Sequence, residues 1–392
     1  MASSPTSNEN AGQRESIFIT LSRKAAEHGS LNLAQGVFDH GPPAAVLDAL
    51  SRIGGGVEHQ YAPSAGHPVL RAALAGSIAD LENTVVDPET EITVTAGATE
   101  AIFCALTALL VDGGEVVLLE PAYEQYRPVI EAAGGTIRSV ALPTPESRLE
   151  LAQLASVCGS RTKAIVVNSP WNPWGRALEE SEWAAIAAMS AEHGIVVVSD
   201  ETYEQLMLDG TNHRGVLEAV ADPELRIKIS SASKTLAVTG WRIGWAVAGP
   251  GLTRRIRARH QFVTFCPAVP LQLAVADVLS GGGFPALKRN VTGDLRERVH
   301  EFTGALDGMG LRTYLPTATF YVVADVGTDA NDWCLRMLPD NGVAALPVAA
   351  FFAGDPSEET SRLVRFALCK SAPMLAEAIA RLRARTVVQA AS

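Results

Sequence analysis

The chain has 392 residues, of which 47% are hydrophobic and 19% are charged. This length and this balance are typical of a well-buried globular protein of two domains, and they exclude a disordered chain. The 43 acidic residues outnumber the 32 basic ones, which gives a formal net charge of −11. Such an acidic surface argues against general nucleic-acid binding and against a polybasic membrane contact, because both depend on clustered positive charge.

The chain carries no recognisable targeting or cross-linking signal. No apolar run approaches the ~20 residues that a membrane-spanning helix needs. Residues 1–14 are polar and lack the apolar centre of a secretory signal, so we interpret them as a flexible N-terminal tail. The five cysteines are scattered without a Cys-X-X-Cys pair, which predicts neither a metal site nor a disulfide framework. We therefore expect a cytoplasmic protein.

Strand-like and helix-like segments alternate between residues 91 and 248. Helical patterns such as 100–110 and 179–193 separate short runs that are apolar and often β-branched. The predicted strands cover residues 91–95, 115–119, 136–142, 164–168, 195–199, 226–230 and 244–248. This alternation predicts an α/β fold with a mostly parallel sheet covered by helices on both faces.

The pattern changes after about residue 285. Helical stretches rich in Arg and Leu, at 288–309 and 373–386, flank short strands at 319–326 and 363–368. This arrangement is typical of a smaller α+β domain. We predict a large domain over residues 46–284, and a small domain formed by residues 15–45 and 285–392.

Polar residues follow several predicted strands at the point where each strand ends. Parallel sheets bind their ligands at the carboxyl ends of the strands, so these residues bring chemistry to one edge. This is the strongest indication of an enzyme that the residues give without comparison. The polar clusters are Gly97-Ala98-Thr99, Asn172, Asp200-Glu201-Thr202-Tyr203 and Ser231-Ala232-Ser233-Lys234.

Two of these residues, Lys234 and Asp200, have a chemistry that depends on burial, and Arg242 follows Lys234 by eight residues. Lys234 lies among small hydroxyl residues, where desolvation lowers an ammonium pKa as a Schiff-base lysine requires. Arg242 and the neighbouring hydroxyls together could hold a phosphate. Asp200 follows an apolar strand and needs a cationic partner, for which a protonated pyridine nitrogen would serve. Taken singly, a lysine is more often a solvated surface charge, and an aspartate is more often a strand-end cap or part of a structural ion pair.

Together these segments resemble the fold-type-I, pyridoxal-phosphate-dependent class I/II aminotransferases. The resemblance runs from about Asn32 to Arg385. It rests on the motif S-A-S-K-T-(x4)-G-W-R-I-G-W, which follows N-S-P-W-N-P and D-E-T-Y in that order. Residues 33–36, 59–61, 119–123, 347–351 and 364–366 are most similar to the branch of kynurenine aminotransferase, glutamine transaminase K and methionine aminotransferase. Several members of that branch also cleave cysteine S-conjugates.

The resemblance implies a role for the residues around the cofactor ring. Lys234 would bind pyridoxal phosphate covalently and then act as the proton-shuttling base. Asp200 would keep the pyridine nitrogen protonated, so that the ring acts as an electron sink. Asn172 and Tyr203 are implied to bind the phenolate oxygen, and Tyr123 to stack on the ring.

The resemblance also implies a phosphate site and a dimer. In this family, the residue that matches Tyr61 reaches the phosphate of the neighbouring subunit. This implies a homodimer whose site is shared between the subunits. The other phosphate-binding residues that the resemblance implies are Ala98, Thr99, Ser231 and Arg242.

The residues implied at the substrate include positions that depart from the family pattern. Arg365 would grip the substrate carboxylate as a bidentate fork, with Asn172 beside it. Gly36 would let the backbone approach the substrate closely. The usual G-x-P-D is Gly36-Val37-Phe38-Asp39 here, and the resemblance implies that Val37, Phe38 and Cys266 fall in or near the substrate pocket. Other departures are N-P-W-G at 172–175, P-T-A-T-F at 316–320, and Cys266 where a histidine is frequent.

We expect amino transfer from an L-amino acid to a 2-oxo acid, by a ping-pong mechanism through pyridoxamine phosphate. One alternative is a C–S β-lyase or a decarboxylating oxidative deaminase that uses the same site. Another is a regulator built on this fold, which would need an upstream DNA-binding domain where only a short polar tail precedes the family region. The 26 arginines against six lysines are typical of GC-rich genomes and hint at specialised, antibiotic-type metabolism. The donor, the acceptor and the pathway stay open.

Overall fold

The computed structural model describes residues 17–56 and 59–389. The predicted tail at residues 1–14 lies outside this described part. The helices are α1 (Ile17–Glu27), α2 (Ala44–Ser51), α3 (Pro68–Glu82), α4 (Ala98–Leu109), α5 (Tyr126–Ala132), α6 (Leu151–Val157), α7 (Glu180–His193), α8 (Val216–Ala219), α9 (Pro250–His260), α10 (Val269–Ser280), α11 (Phe284–Asp307), α12 (Ala330–Asn341), α13 (Glu358–Ser361) and α14 (Ala372–Gln389). Within these ranges, no helix is both long enough and apolar enough to cross a bilayer.

The strands form one large sheet and two smaller ones. In chain order they are β1 (Leu31–Asn32), β2 (Ile92–Thr95), β3 (Gly114–Glu120), β4 (Gly135–Ala141), β5 (Thr162–Asn168), β6 (Val196–Asp200), β7 (Arg226–Ser231), β8 (Gly244–Ala248), β9 (Arg312–Tyr314), β10 (Tyr321–Asp325), β11 (Val343–Ala344), β12 (Leu346–Pro347) and β13 (Leu363–Ala367). The large sheet has the order β2-β8-β7-β6-β5-β3-β4. Its strands pair in parallel except for β8, which is antiparallel to both neighbours. The predicted α/β fold with a mostly parallel seven-stranded sheet is confirmed.

The strands of the large sheet read as apolar runs because both faces of the sheet are buried. On β5, Ala164 and Val166 face a core that contains residues of α4, α5 and α9. Ile165 and Val167, which alternate with them, face a second core with residues of α3, α7 and α10. Successive strand residues point to opposite faces, so a strand covered on both faces needs apolar residues at every position.

The strand register brings the polar strand ends together. Asn168 pairs with Asp200 at the ends of β5 and β6. Ser231 ends β7 opposite Gly244, the first residue of β8, and Gly244 also pairs with Thr95 at the end of β2. Because β8 is antiparallel, the residues that precede it lie at the same edge as the residues that follow β2, β5, β6 and β7.

A second sheet, β12-β13-β10-β9, is antiparallel and shares a core with residues of α11, α12 and α14. The N-terminal segment joins this part of the molecule, since β1 pairs in parallel with β11 and α1 packs beside it. The division into domains at residues 46 and 285 stays a prediction, and these contacts are consistent with it. The strand predicted over 319–326 begins only at Tyr321, because Thr319 has a left-handed φ of 64°.

A buried charged cluster ties β7 to the loop that follows β6. The Lys228 ammonium is fully buried and contacts the carboxylates of Glu82 and Glu204, with Glu201 at 3.3 Å. One ammonium faces three carboxylates here. Burial raises the pKa of Glu82 to about 7, and Glu204 and Glu201 add to this effect against the attraction of Lys228. The Glu82 carboxyl therefore takes up a proton near neutral pH.

We expect the Glu82→Gln substitution to flatten the pH dependence of stability. The pKa of this carboxyl is raised from its ordinary 4.5 to about 7 by folding. The folded protein therefore binds the extra proton, and its free energy of unfolding falls as pH rises through this window. The loss attributable to Glu82 is at most about 3 kcal/mol. Urea unfolding at pH 5 and pH 8 measures it, with Glu89→Gln on the surface as the control; an unchanged pH profile in Glu82→Gln would disprove the role of Glu82.

Candidate active site

A cavity of about 390 Å³ opens where the polar strand ends meet. It is lined by residues from both ends of the chain as well as from the large sheet. The structure brings together in it all of the predicted site residues except Tyr61 and Phe38. Those that line it are Gly36, Ala98, Thr99, Tyr123, Asn172, Asp200, Tyr203, Ser231, Lys234, Arg242 and Arg365.

One end of the cavity is suited to an anion. Helix α4 begins at Ala98, and Gly97 before it supplies no side-chain cap to the first N–H groups. The Arg242 guanidinium lies beside them, with Nη2 donating to Thr99 Oγ1 at 3.2 Å. Gly97 has a φ of 79°, and a Cβ there would collide with Arg242. A helix N-terminus and a guanidinium at one point make a site for a phosphate.

Lys234 reaches the centre of the cavity from the loop after β7. Its Nζ donates to the Gly36 carbonyl at 3.4 Å. Burial lowers the pKa of the Lys234 ammonium, and Arg365 lowers it further, while Cys369 and Asp200 act in the opposite direction. A lysine whose pKa is lowered is more often neutral and is then a nucleophile and a base.

Asp200 is a buried carboxylate that faces the same cavity. Its Oδ2 accepts a hydrogen bond from the Tyr126 hydroxyl at 2.8 Å, and its Oδ1 accepts one from the Thr202 amide at 3.3 Å. Asn168 fixes the strand end by donating to the Asp200 carbonyl. Burial raises the pKa of Asp200 despite these hydrogen bonds. A cation placed in the cavity would favour the charged carboxylate.

Arg365 lies opposite Lys234 and is 1% exposed. Its Nη1 donates to Asn172 Oδ1 at 2.7 Å, and its Nη2 donates to the Ala34 carbonyl. The guanidinium lies 4.2 Å over the ring of Tyr321, whose hydroxyl is 3.0 Å from that of Tyr203. A planar guanidinium held this way presents a fork for a carboxylate.

Two predicted site residues lie elsewhere. Tyr61 is 88% exposed and packs edge-on against Phe265, outside the cavity of its own chain. Phe38 packs edge-on against Phe320 and lines a second cavity of about 340 Å³, which shares Lys234 with the first. Val37, rather than Phe38, lines the first cavity. The role of Phe38 at the substrate therefore stays a prediction.

The sequence reasoning missed several residues at or beside the cavity, including three that contact predicted site residues. Tyr126 bonds Asp200, Tyr321 contacts Arg365, and Gln125 donates to the Thr99 carbonyl at 2.7 Å. Spacing could have indicated Tyr126, which lies three residues after Tyr123 at the start of a helix. Tyr321 and Gln125 carry no comparable signal, since a tyrosine in a strand and a glutamine in a turn are ordinary residues there.

Glu100 in the first turn of α4 links the phosphate end to the segment that carries Tyr61. Its carboxylate accepts hydrogen bonds from the Ala96 amide and the Thr264 hydroxyl, and it lies 2.8 Å from His260. His260 in turn bonds the Ser64 carbonyl. Glu100, His260 and the buried Cys104 are close enough together to hold a metal. These hydrogen bonds already use the Glu100 carboxylate and both His260 nitrogens, so we interpret the group as structural.

The donor set of the cavity fits pyridoxal phosphate. The helix N-terminus and Arg242 match its phosphate, and Asp200 matches its ring nitrogen as a buried carboxylate in need of a cation. Lys234 matches its aldehyde as a desolvated amine. These groups lie in one cavity and come from the start of α4, the end of β6 and the connection between β7 and β8, which brings together what this cofactor requires.

The comparison with known families agrees with the cavity. The chain matches the family described as aminotransferase class I and II over residues 29–382. It therefore belongs to the class I and II aminotransferases and is a pyridoxal-phosphate-dependent aminotransferase, as the sequence predicted.

Individual relatives agree with the predicted branch. The chain is 33% identical to the methionine aminotransferase of Escherichia coli, covering 94% of this chain and 95% of that one. It is 37% identical to a probable N-succinyldiaminopimelate aminotransferase of Mycobacterium tuberculosis, covering 93% and 95%. The solved Escherichia coli structure, described as having a methionine aminotransferase function, superposes with a TM-score of 0.90 at 32% identity, over 97% of this chain and 100% of that one. The hint of specialised metabolism stays a prediction.

Proposed function

We propose that this aminotransferase takes L-amino acids with uncharged side chains as donors and passes the amino group to a 2-oxo acid. The proposal rests on the cations of the cavity, which among its described lining residues are Lys234, Arg242 and Arg365. Arg242 is held at the helix N-terminus by its bond to Thr99, so Arg365 remains for one carboxylate. A dicarboxylate donor would need a second guanidinium fork. The similarity to a methionine aminotransferase supports an uncharged donor.

The chain's own residues have separate roles in the proposed reaction. Bound pyridoxal phosphate supplies an electron sink for the negative charge that develops at the substrate Cα. Lys234 Nζ removes the substrate Cα proton and then donates a proton on the side of the cofactor. The lowered pKa of the Lys234 ammonium suits a group that both accepts and donates a proton. Asp200 keeps a proton on the ring nitrogen, since a buried carboxylate favours a cation beside it.

The remaining side chains bind and orient. Arg365 holds the substrate carboxylate, with Asn172 bonded to its Nη1. In this proposal the Asn172 amide and the Tyr203 hydroxyl bind the phenolate oxygen, and Tyr123 covers the ring. Ala98, Thr99, Ser231 and Arg242 hold the phosphate. Gly36 has room for no side chain, because a Cβ there would lie 2.5 Å from the Tyr321 hydroxyl.

A panel of donors tests the proposed specificity. Holoenzyme without an oxo acid is mixed with methionine, phenylalanine, kynurenine, S-substituted cysteines, glutamate or aspartate, and the released 2-oxo acid is counted per active site. We expect one equivalent from the uncharged donors, at rates at least about tenfold above that of aspartate, since the missing second fork costs more than about 1.4 kcal/mol. A preference for aspartate or glutamate would overturn the proposal.

The same panel separates amino transfer from the alternative reactions. In a ping-pong transfer, product formation stops after one equivalent until an oxo acid is added. Continuous release of ammonia with a thiol would identify a β-lyase. Continuous release of carbon dioxide would identify a decarboxylating deaminase.

We further propose a cytoplasmic homodimer with a shared site. An exposed aromatic edge formed by Tyr61, Phe262 and Phe265 supports the dimer, since Tyr61 lies outside its own cavity and such surfaces mark protein contacts. The five free cysteines fit a reducing compartment.

Complementation between two inactive variants is the expected sign of the shared site. Tyr61→Ala and Lys234→Ala each damage one half of a composite site, so a mixed dimer contains one intact site. We expect mixing and reassembly to restore up to about a quarter of wild-type activity, since half of the dimers are mixed and each holds one intact site of two. The control is each variant reassembled alone. Absence of recovery, with mixed dimers shown by native mass spectrometry, would place Tyr61 in its own subunit's site.

A further inference from the structure

The segment Ala34–Asp39, here called the strap, separates the two cavities beside Lys234. Gly36 and Val37 line the first cavity, and Val37 is 50% exposed. Phe38 lines the second cavity and packs against Phe320. Consecutive side chains of the strap thus face different cavities. A small displacement of the strap backbone would change the width of the first cavity at Val37.

The strap packs closely against Tyr321 and Phe320 at Gly36. A Cβ on Gly36 would lie 2.5 Å from the Tyr321 hydroxyl and 3.0 Å from the Phe320 ring. Close-packed interiors do not yield to such contacts without cost. Tyr321 and Phe320 therefore leave room at Gly36 for a backbone without a side chain, and the hydrogen bonds to the strap hold it in that position.

Apart from Asn32 and Lys234, which bond strap residues 34–36, the groups that anchor the strap come from one stretch of chain at the end of β13. Lys370 Nζ donates to the Val37 carbonyl, and the amide and hydroxyl of Ser371 each donate to the Asp39 carboxylate at 2.6 Å. Arg365, five residues before Lys370, donates to the Ala34 carbonyl. The stretch that carries the carboxylate fork therefore also anchors the strap at three successive points.

Lys370 is an unusual choice for packing alone. Its side chain is 5% exposed, and burial lowers the pKa of its ammonium, although Cys369 and Asp39 favour the charged form. Burial of an ammonium is costly, whereas a methionine of similar length would fill the same space without that cost. The Lys370 main chain is itself fixed, because Arg298 donates to its carbonyl at 3.0 Å. The Lys370 ammonium is directed at the Val37 carbonyl. Val37 lines the first cavity, here called the donor cavity because the amino-acid donor is proposed to bind there.

We propose that Lys370 is a positioning residue that sets donor specificity by holding the Val37 carbonyl, and with it the width of the donor cavity. The proposal rests on the proposed function for what the cavity binds. Ser371 acts in the same way through Asp39 and is the weaker of the two, since it holds the strap two residues beyond Val37. The ligands affected are amino acids whose side chains contact Val37, and bulkier donors are excluded by the strap in its held position.

The Lys370→Met variant tests the proposal, with Lys288→Met as the matched control. Lys288 lies on α11 and bonds Asn212, at neither cavity. We expect Lys370→Met to raise KM for methionine about tenfold and to increase the kcat/KM ratio of tryptophan to methionine about tenfold; a tenfold ratio corresponds to ~1.4 kcal/mol. The dissociation constant of pyridoxal phosphate should change less than about twofold, because the phosphate end is untouched. Equal changes for all donors, or an unchanged ratio, would overturn the proposal.

Hydrogen exchange gives a readout that does not depend on turnover. Peptides covering residues 34–39 should exchange faster in Lys370→Met than in Lys288→Met, while peptides of β6 and β7 stay as in the wild type. If Lys370→Met fails to fold, Ser371→Ala removes the neighbouring anchor and should move the tryptophan-to-methionine ratio in the same direction by a smaller factor. If the wild type releases no 2-oxo acid from any donor, the proposed function fails, and exchange in the strap still decides whether Lys370 holds it. Unchanged exchange there would refute the positioning role.

Discussion

Replacing Lys234 by alanine is expected to lower kcat by about 10⁴-fold or more. One nitrogen is proposed both to hold the cofactor covalently and to move the Cα proton, and each task alone supports a large part of the rate. The described residues that line the cavity include no other lysine. Borohydride reduction followed by peptide mapping provides the direct measurement. In the wild type, the peptide that contains Lys234 should carry a phosphopyridoxyl group, and in the variant no lysine should carry it.

The control for this experiment is Lys163→Ala. Lys163 lies on β5 and is exposed, at the opposite end of the strand from Asn168. The Lys163→Ala variant should retain both the phosphopyridoxyl group on the Lys234 peptide and wild-type turnover. Turnover within tenfold of wild type in Lys234→Ala, or reduction onto another lysine, would show that the assignment of the lysine is wrong.

Replacing Asp200 by asparagine is expected to lower kcat by about 10²–10³-fold with little change in the shape of the site. The amide keeps the size of the side chain but carries no negative charge, so it stabilises a protonated ring nitrogen much less. Electrostatic groups placed at developing charge in a buried site commonly contribute this much. Burial already raises the pKa of this carboxyl, which shows how unfavourable its charge is without a cation beside it. Cofactor affinity, measured by equilibrium dialysis, should fall together with the rate.

Tyr126→Phe separates charge from hydrogen bonding at the same place. It removes the 2.8 Å bond to Asp200 and leaves the carboxylate present. We expect a loss of about tenfold, since one hydrogen bond to a charged group contributes about 1.5 kcal/mol at the lower end and each 1.4 kcal/mol is about tenfold. Equal effects of Tyr126→Phe and Asp200→Asn would mean that geometry, rather than charge, accounts for the role of Asp200.

The strands and the cofactor end of the site were largely predictable because their determinants are local. The apolar run of β5 follows from burial on both of its faces, and the polar residue at its end follows from the position where such sheets bind ligands. Lys234, Asp200 and Arg242 could be singled out because they stand close to strand ends. The strand at Tyr321 was predicted too long, because a left-handed Thr319 leaves no local signal.

The substrate end was harder to predict, because it is assembled from remote segments. Arg365 meets Ala34 across 331 positions of the chain, and Lys370 meets Val37 across 333. Val37 and Phe38 were both expected in or near the substrate pocket, and the structure places Val37 at the first cavity and Phe38 at the second, beside Lys234. No pattern within either segment indicates which of the two residues faces which cavity.

The sequence by itself determined the α/β fold, the family and the residues suited to the cofactor, because strand burial and strand-end chemistry leave their pattern within a few residues of one another. The tertiary structure alone decided the register that sets Asn168 beside Asp200, the charge cluster on Lys228 and the anchoring of the strap by Lys370. These features depend on which distant segments pack together. Long-range packing is fixed by the sum of many weak contacts over the whole chain, and no single contact marks it in the sequence.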